Sequence, residues 1–123
     1  MANEITYTGS LSVTKGNQQT VSMSNSATLA TMTGTNVVRI VQNIATSAEA
    51  LIVTDIGTAG FAYFNNMDGT NYVEIGTGTG GSFVPFLKLL AGEKAGPLRL
   101  GTSAPTAQAN TTAVDLDYMI VET

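Results

Sequence analysis

From residue 5 to residue 14 the side chains change character at every step. Ile5, Tyr7, Gly9, Leu11 and Val13 alternate with Thr6, Thr8, Ser10, Ser12 and Thr14. A period of two sends successive side chains to opposite faces, the pattern of a half-buried β-strand. Val21, Met23, Ala27 and Leu29 continue the alternation against Thr20, Ser22, Ser24, Ser26 and Thr28, and Lys15-Gly16-Asn17 between the two runs reads as a turn. The spacing therefore predicts a long hairpin, or two successive strands of one sheet.

Composition favours the same secondary structure along the rest of the chain. Charged residues make up 11% of the 123, against about 25% in an ordinary globular domain. Thr, Ser, Asn and Gly fill the gap; they suit strand surfaces and turns and suit helix interiors poorly. A chain of this length forms one domain and buries roughly two thirds of its unfolded surface.

Val38, Ile40 and Ile44 share one face of a β-branched stretch, with Arg39 on the other. Residues 50–56 form a nearly continuous apolar run, which predicts a central strand. Residues 61–64 are an aromatic strand that ends in the turn cluster Asn65-Asn66-Met67-Asp68-Gly69, where Asp-Gly favours hairpin geometry. A strand returns over 72–75, and residues 76–81 are a flexible Gly/Thr loop. The stretch 83–90 admits strand or helix; Gly92 closes it quickly and Leu87-Lys88-Leu89 alternates, so strand is the expectation. Leu98 and Leu100 flank Arg99 in a short strand, and a loop follows over 101–105. In the last strand Val114, Leu116, Tyr118 and Ile120 face one way, Asp115 and Asp117 the other. About eight to ten short strands with regular turn signals predict an all-β chain. The expected architecture is a two-sheet β-sandwich of jelly-roll-like topology over residues 1–123.

The function classes narrow on the residues the chain lacks. It has no His and no Cys, which removes most zinc sites, nucleophile–base pairs and disulfide frameworks. No catalytic residue, cofactor or metal is expected. The net charge is −4, and the basic residues Lys15, Arg39, Lys88, Lys94 and Arg99 are scattered. Nucleic acid needs a basic face and a membrane surface needs a basic amphipathic stretch, so neither is an expected partner. Met1-Ala2-Asn3-Glu4 carries no leader pattern, and no apolar run approaches the length of a span.

Six features that could carry chemistry or recognition each have a plainer explanation. Gly76-Thr77-Gly78-Thr79-Gly80-Gly81 matches G-x-G-x-x-G, but the dinucleotide fingerprint needs a helix where Ser82-Phe83-Val84-Pro85 reads as extended chain. Asp115 and Asp117 lie about 6.6 Å apart along one strand face; catalytic carboxylate pairs come from different elements around a cleft. Asp68-Gly69-Thr70-Asn71 offers oxygen ligands for a cation but lacks the spacing and closing Glu of a calcium loop, so a turn is expected. Thr46-Ser47-Ala48-Glu49 fits a helix capping box, but the run after it is short and β-branched. Asn110-Thr111-Thr112 is a glycosylation sequon without a secretory context. The aromatics Phe61, Tyr63, Phe64 and Tyr72 are expected mainly in the core, with Tyr63 and Tyr72 the candidates for a sugar-binding platform.

Two stretches resemble small structural proteins of tailed-bacteriophage virions. The first is FAYFNNMDGTNYVEIG, residues 61–76. The second is LKLLAGEKA from Leu87, continuing through Leu98-Arg99-Leu100 to Ala113-Val114-Asp115-Leu116-Asp117-Tyr118. The resemblance covers the C-terminal half and rests on short structural motifs. It implies a capsid decoration or cement protein, made in the bacterial host cytoplasm and placed on the virion's capsid surface. Its implied partner is the major capsid protein, and it implies homo-oligomers, dimers or trimers. No functional residue transfers with it. The expected interaction residues are Ala2, Asn3, Glu4 and Ile5, ordering on docking with the Gly-rich loop, together with Tyr63 and Tyr72. Two alternatives stay open: a head-completion or tail protein, and a carbohydrate- or receptor-binding module.

Overall fold

The computed structural model describes residues 3–14, 16, 21–102 and 104–123. The chain divides into two compact units, Met1–Met32 and Thr33–Thr123.

The first unit is an antiparallel hairpin of β1 (Ile5–Val13) and β2 (Val21–Ala30), a two-stranded sheet of its own. Leu11 pairs with Met23, and Ser10 and Ser12 pair with Ser24 and Ser22. The register shifts between Tyr7 and Gly9, where β2 carries one residue more than β1. This bulge reverses the alternation along β2. Leu29 faces Thr6, on the side opposite Leu11 and Met23, so the single apolar face expected through residue 29 stops at the bulge. The turn expected at Lys15-Gly16-Asn17 lies largely outside the described residues.

The second unit contains β3 (Val37–Ile44), β4 (Glu49–Ala50), β5 (Ala59–Asn66), β6 (Val73–Thr77), β7 (Val84–Leu89), β8 (Lys94–Arg99), β9 (Thr106–Ala109) and β10 (Val114–Glu122). They form two antiparallel sheets in the orders β3-β10-β5-β8 and β4-β9-β6-β7. β3 pairs with β10, β4 with β9, β5 with β8 and β6 with β7. The eight strands thus make one long antiparallel ribbon, folded back at the β6–β7 turn and rolled so that β10 also meets β5 and β9 meets β6. That is the connectivity of a jelly roll.

The rolled ribbon closes around side chains from both sheets. Phe64, Leu116, Tyr118 and Ile120 come from one, Val73, Ile75, Leu89 and Ala107 from the other. The Phe64 and Tyr118 rings lie 6.3 Å apart at 43°. β10 realises its sequence pattern, with Val114, Leu116, Tyr118 and Ile120 buried. β7 confirms a strand within 83–90. Gly76 sits at the β6–β7 register shift, where a Cβ would run into the Val84 carbonyl; the glycine there allows close backbone approach. A three-residue 3-10 turn, Gly80–Ser82, follows in place of the helix that a nucleotide fingerprint needs.

Two other segments differ from their sequence patterns. Residues 50–56 are mostly a loop, with only Ala50 in β4. Leu51 is buried, Ile52 is exposed, and Asp55 takes a positive φ of 65° in the turn closed by the Ile56 N–H on the Val53 carbonyl. The apolar run reflects core contacts made from a loop. The capping-box Glu49 does reach back to the Ala45 N–H (3.1 Å), but it does so from a strand.

Candidate functional site

Three polar side chains tie the second unit together. Asn66 is fully buried at the end of β5. Its Nδ2 donates to the carbonyls of Asn71 (2.9 Å), Leu89 (3.1 Å) and Leu90 (3.1 Å), and its Oδ1 accepts the Asp68 N–H (2.9 Å). The Tyr118 hydroxyl lies 2.7 Å from both Gln42 Oε1 and the Ile52 nitrogen, and 3.0 Å from the Ile52 carbonyl. Burial pushes this phenol up to about 12. The Glu122 carboxylate accepts the N–H groups of Gly57 (2.7 Å), Thr35 (3.1 Å) and Asn36 (3.2 Å), which hold it below the usual carboxylate range.

The acidic candidates are engaged in the same way. Asp117 holds Arg39 through two contacts of 3.1 and 3.3 Å, and Asp115 accepts from Asn43 Nδ2 at 2.9 Å. Each is bound to a β3 side chain beside it. Asp68 accepts the N–H groups of Asn71 and Thr70, which lower its carboxyl, so the loop is closed by its own backbone.

The aromatic candidates do not form one platform. Tyr63 projects from the outer face of β5 and is 40% exposed, contrary to its expected place in the core; the strand's alternation buries Phe64 and turns Tyr63 out. Tyr72 adjoins β6 in the other sheet, with Lys88 Nζ 4.0 Å from its ring centre. Phe61 is buried although it is on the outer side, because the Arg99 guanidinium covers it at 4.4 Å.

Ala2 lies outside the described residues. The Asn3 N–H donates to Thr31 Oγ1, the Glu4 carboxylate accepts the Met32 N–H, and Ile5 pairs with Ala30. These residues close the end of the hairpin.

The surface that most needs a partner is the hairpin. Leu11, Val13 and Met23 share one side and are 71%, 58% and 82% exposed. Serines line the other side, and neither strand carries a charge. Two strands without a third, or without a packed face, are marginal in water. A second exposed apolar set lies on the outer face of β3-β10-β5-β8, where Met119 stands opposite Tyr63, with Val37 and Val41 on β3. Sequence reasoning missed this set. Its signal was a β3 apolar on both parities, the mark of a strand covered on two faces. Between the edges of β7 and β8 a cleft of about 330 Å³ opens beside Phe86, Leu98 and Leu100.

Among the described residues, no group of three Asp or Glu side chains is placed to hold a metal ion. Among the same residues no helix is long and apolar enough to cross a membrane. Comparison with known proteins adds no relative: no family model, no curated protein and no solved structure matches the chain.

Proposed function

We propose that this chain is a non-enzymatic assembly protein that binds the outside of a phage capsid and stabilises the shell. The observation that carries the reading is the hairpin: its two strands carry no charge, expose Leu11, Val13 and Met23 and, among the described residues, pair with no third strand. Such a ribbon gains its packing from another protein, and a partner met through it need not desolvate a charge, which would cost several kcal/mol. In the jelly-roll unit the carboxylates are largely spent on internal hydrogen bonds. The capsid assignment rests on the resemblance of residues 61–76 and 87–118 to small virion proteins.

The test is the copy number of this chain in purified particles of the source phage. A ratio on the order of one copy per shell subunit supports the coat role, since a closed symmetric shell repeats every site. A ratio of a small fraction moves the protein to a tail or connector ring, and absence from the particle overturns the reading. The variant Leu11→Ser/Met23→Ser should lose binding to assembled shells while keeping its circular dichroism spectrum.

A further inference from the structure

We propose that the outer edge of β3 pairs with the β3 edge of a second copy, joining two jelly rolls through one continuous antiparallel sheet. The other long edges of the sandwich are interrupted by a residue with no N–H: Pro85 in β7 and Pro97 in β8. β4 has only two residues. β3 has eight, pairs with β10 without a register shift, and contains no proline. Among the described residues no strand lies on its other side. Proteins protect edges that must stay single, and this edge lacks the devices used on β7 and β8.

The ladder fixes which groups face outward. The Glu122 N–H donates to the Asn36 carbonyl at 3.1 Å, one step beyond the Val121–Val37 pair. In an antiparallel pair the bonded residues alternate, so Val38, Ile40, Gln42 and Ile44 turn their N–H and C=O groups to β10. Val37, Arg39, Val41 and Asn43 turn theirs to the open edge. The Met67 N–H bond to the Asp115 carbonyl gives the same phase on the far side of β10.

The edge suits its own copy. Its one charge, Arg39, is matched by Asp117 of the same chain, so two edges meet without an unpaired charge. Antiparallel pairing about a two-fold axis at Val41 puts Val41 against its counterpart, about 5.5 Å away between α-carbons. It also sets Arg39 across from an asparagine and not from another arginine. Val41 is 54% exposed, and the pairing covers it. This inference stands apart from the shell role, because it concerns the free protein.

Sedimentation equilibrium of the full chain tests it, with a concentration-dependent dimer expected. Val41→Pro removes an outward N–H without touching the β3–β10 ladder, and should shift the dimer to monomer at unchanged circular dichroism. A monomeric or trimeric wild type, or a folded Val41→Pro dimer as tight as wild type, overturns the proposal. If the proline variant fails to fold, Val41→Cys decides: the chain has no other cysteine, and a short bis-maleimide reaches between two thiols on directly facing residues. The bis-maleimide should give a linked dimer, and failure to cross-link a folded protein overturns the pairing.

Discussion

Replacing Asn66 by alanine tests whether one buried amide fastens the end of β5 to the turns around it. The side chain supplies two N–H groups to the carbonyls of Asn71, Leu89 and Leu90, and accepts one bond from the Asp68 N–H. Two donors and one acceptor make three full hydrogen bonds, each contributing about 1 kcal/mol net. Only the bond to the Leu89 carbonyl is fully enclosed; water can reach the rest after truncation. The expected loss is therefore about 3 kcal/mol, a fall of roughly 12–24 °C in the melting temperature of a unit this size. Urea unfolding followed by far-UV circular dichroism suits a chain without tryptophan. The neighbour Asn65 is half-buried and serves as control; Asn65→Ala should cost about 0.5 kcal/mol or less. Equal losses for the two variants, or an Asn66→Ala loss under about 1 kcal/mol, would refute the reasoning.

Other outcomes follow from the same network and core. Tyr118→Phe strands Gln42 and Ile52 and should cost about 1–3 kcal/mol in urea unfolding. In a spectrophotometric titration one of the four tyrosines should resist ionisation until near pH 12. Because its folded value is raised, the stability tied to the neutral phenol is whole below pH 10 and is lost as pH climbs toward 12. Glu122 works in the opposite direction: its folded value is lowered, so its contribution is present above the unfolded value near 4.5 and disappears as pH falls through the folded one. Glu122→Gln should flatten the acid side of a melting-temperature profile. Phe64→Ala, at a fully buried core position, should cost about 3–5 kcal/mol in urea unfolding. A chain of residues 33–123 should keep the melting transition of the sandwich, which carries its own core.

Where a strand buries one face, the sequence made it legible. β10 is the clearest case, since Val114, Leu116, Tyr118 and Ile120 are all buried while Asp115, Asp117 and Met119 between them are not. The run at 50–56 misled because hydrophobicity reports burial and not hydrogen bonding. Leu51 reaches the core from a loop whose N–H groups find the Pro105 carbonyl and the Tyr118 hydroxyl. The bulge in β2 was hidden because Ala27 and Leu29 keep the written alternation while the extra residue reverses the faces. At the candidate site, the aromatic cluster divided by strand parity into buried Phe64 and exposed Tyr63. Nothing in the order of residues announced Asn66, which looked like any other polar residue of a turn and took its role only when Leu89 and Asn71 arrived.

The nesting of the strands has a consequence for synthesis. Val37 pairs with Val121, so the first strand of the sandwich waits for the last to leave the ribosome. The innermost β6–β7 pair and the β1–β2 hairpin close from nearby residues and can form while the rest is still being made. Long-range pairing of this kind folds slowly. The exposed ribbon of Leu11 and Met23 is therefore available to a partner, or to another nascent chain, before the sandwich has formed. Production at low expression rate and reduced temperature should favour the soluble form over inclusion bodies more than for a helical chain of this length.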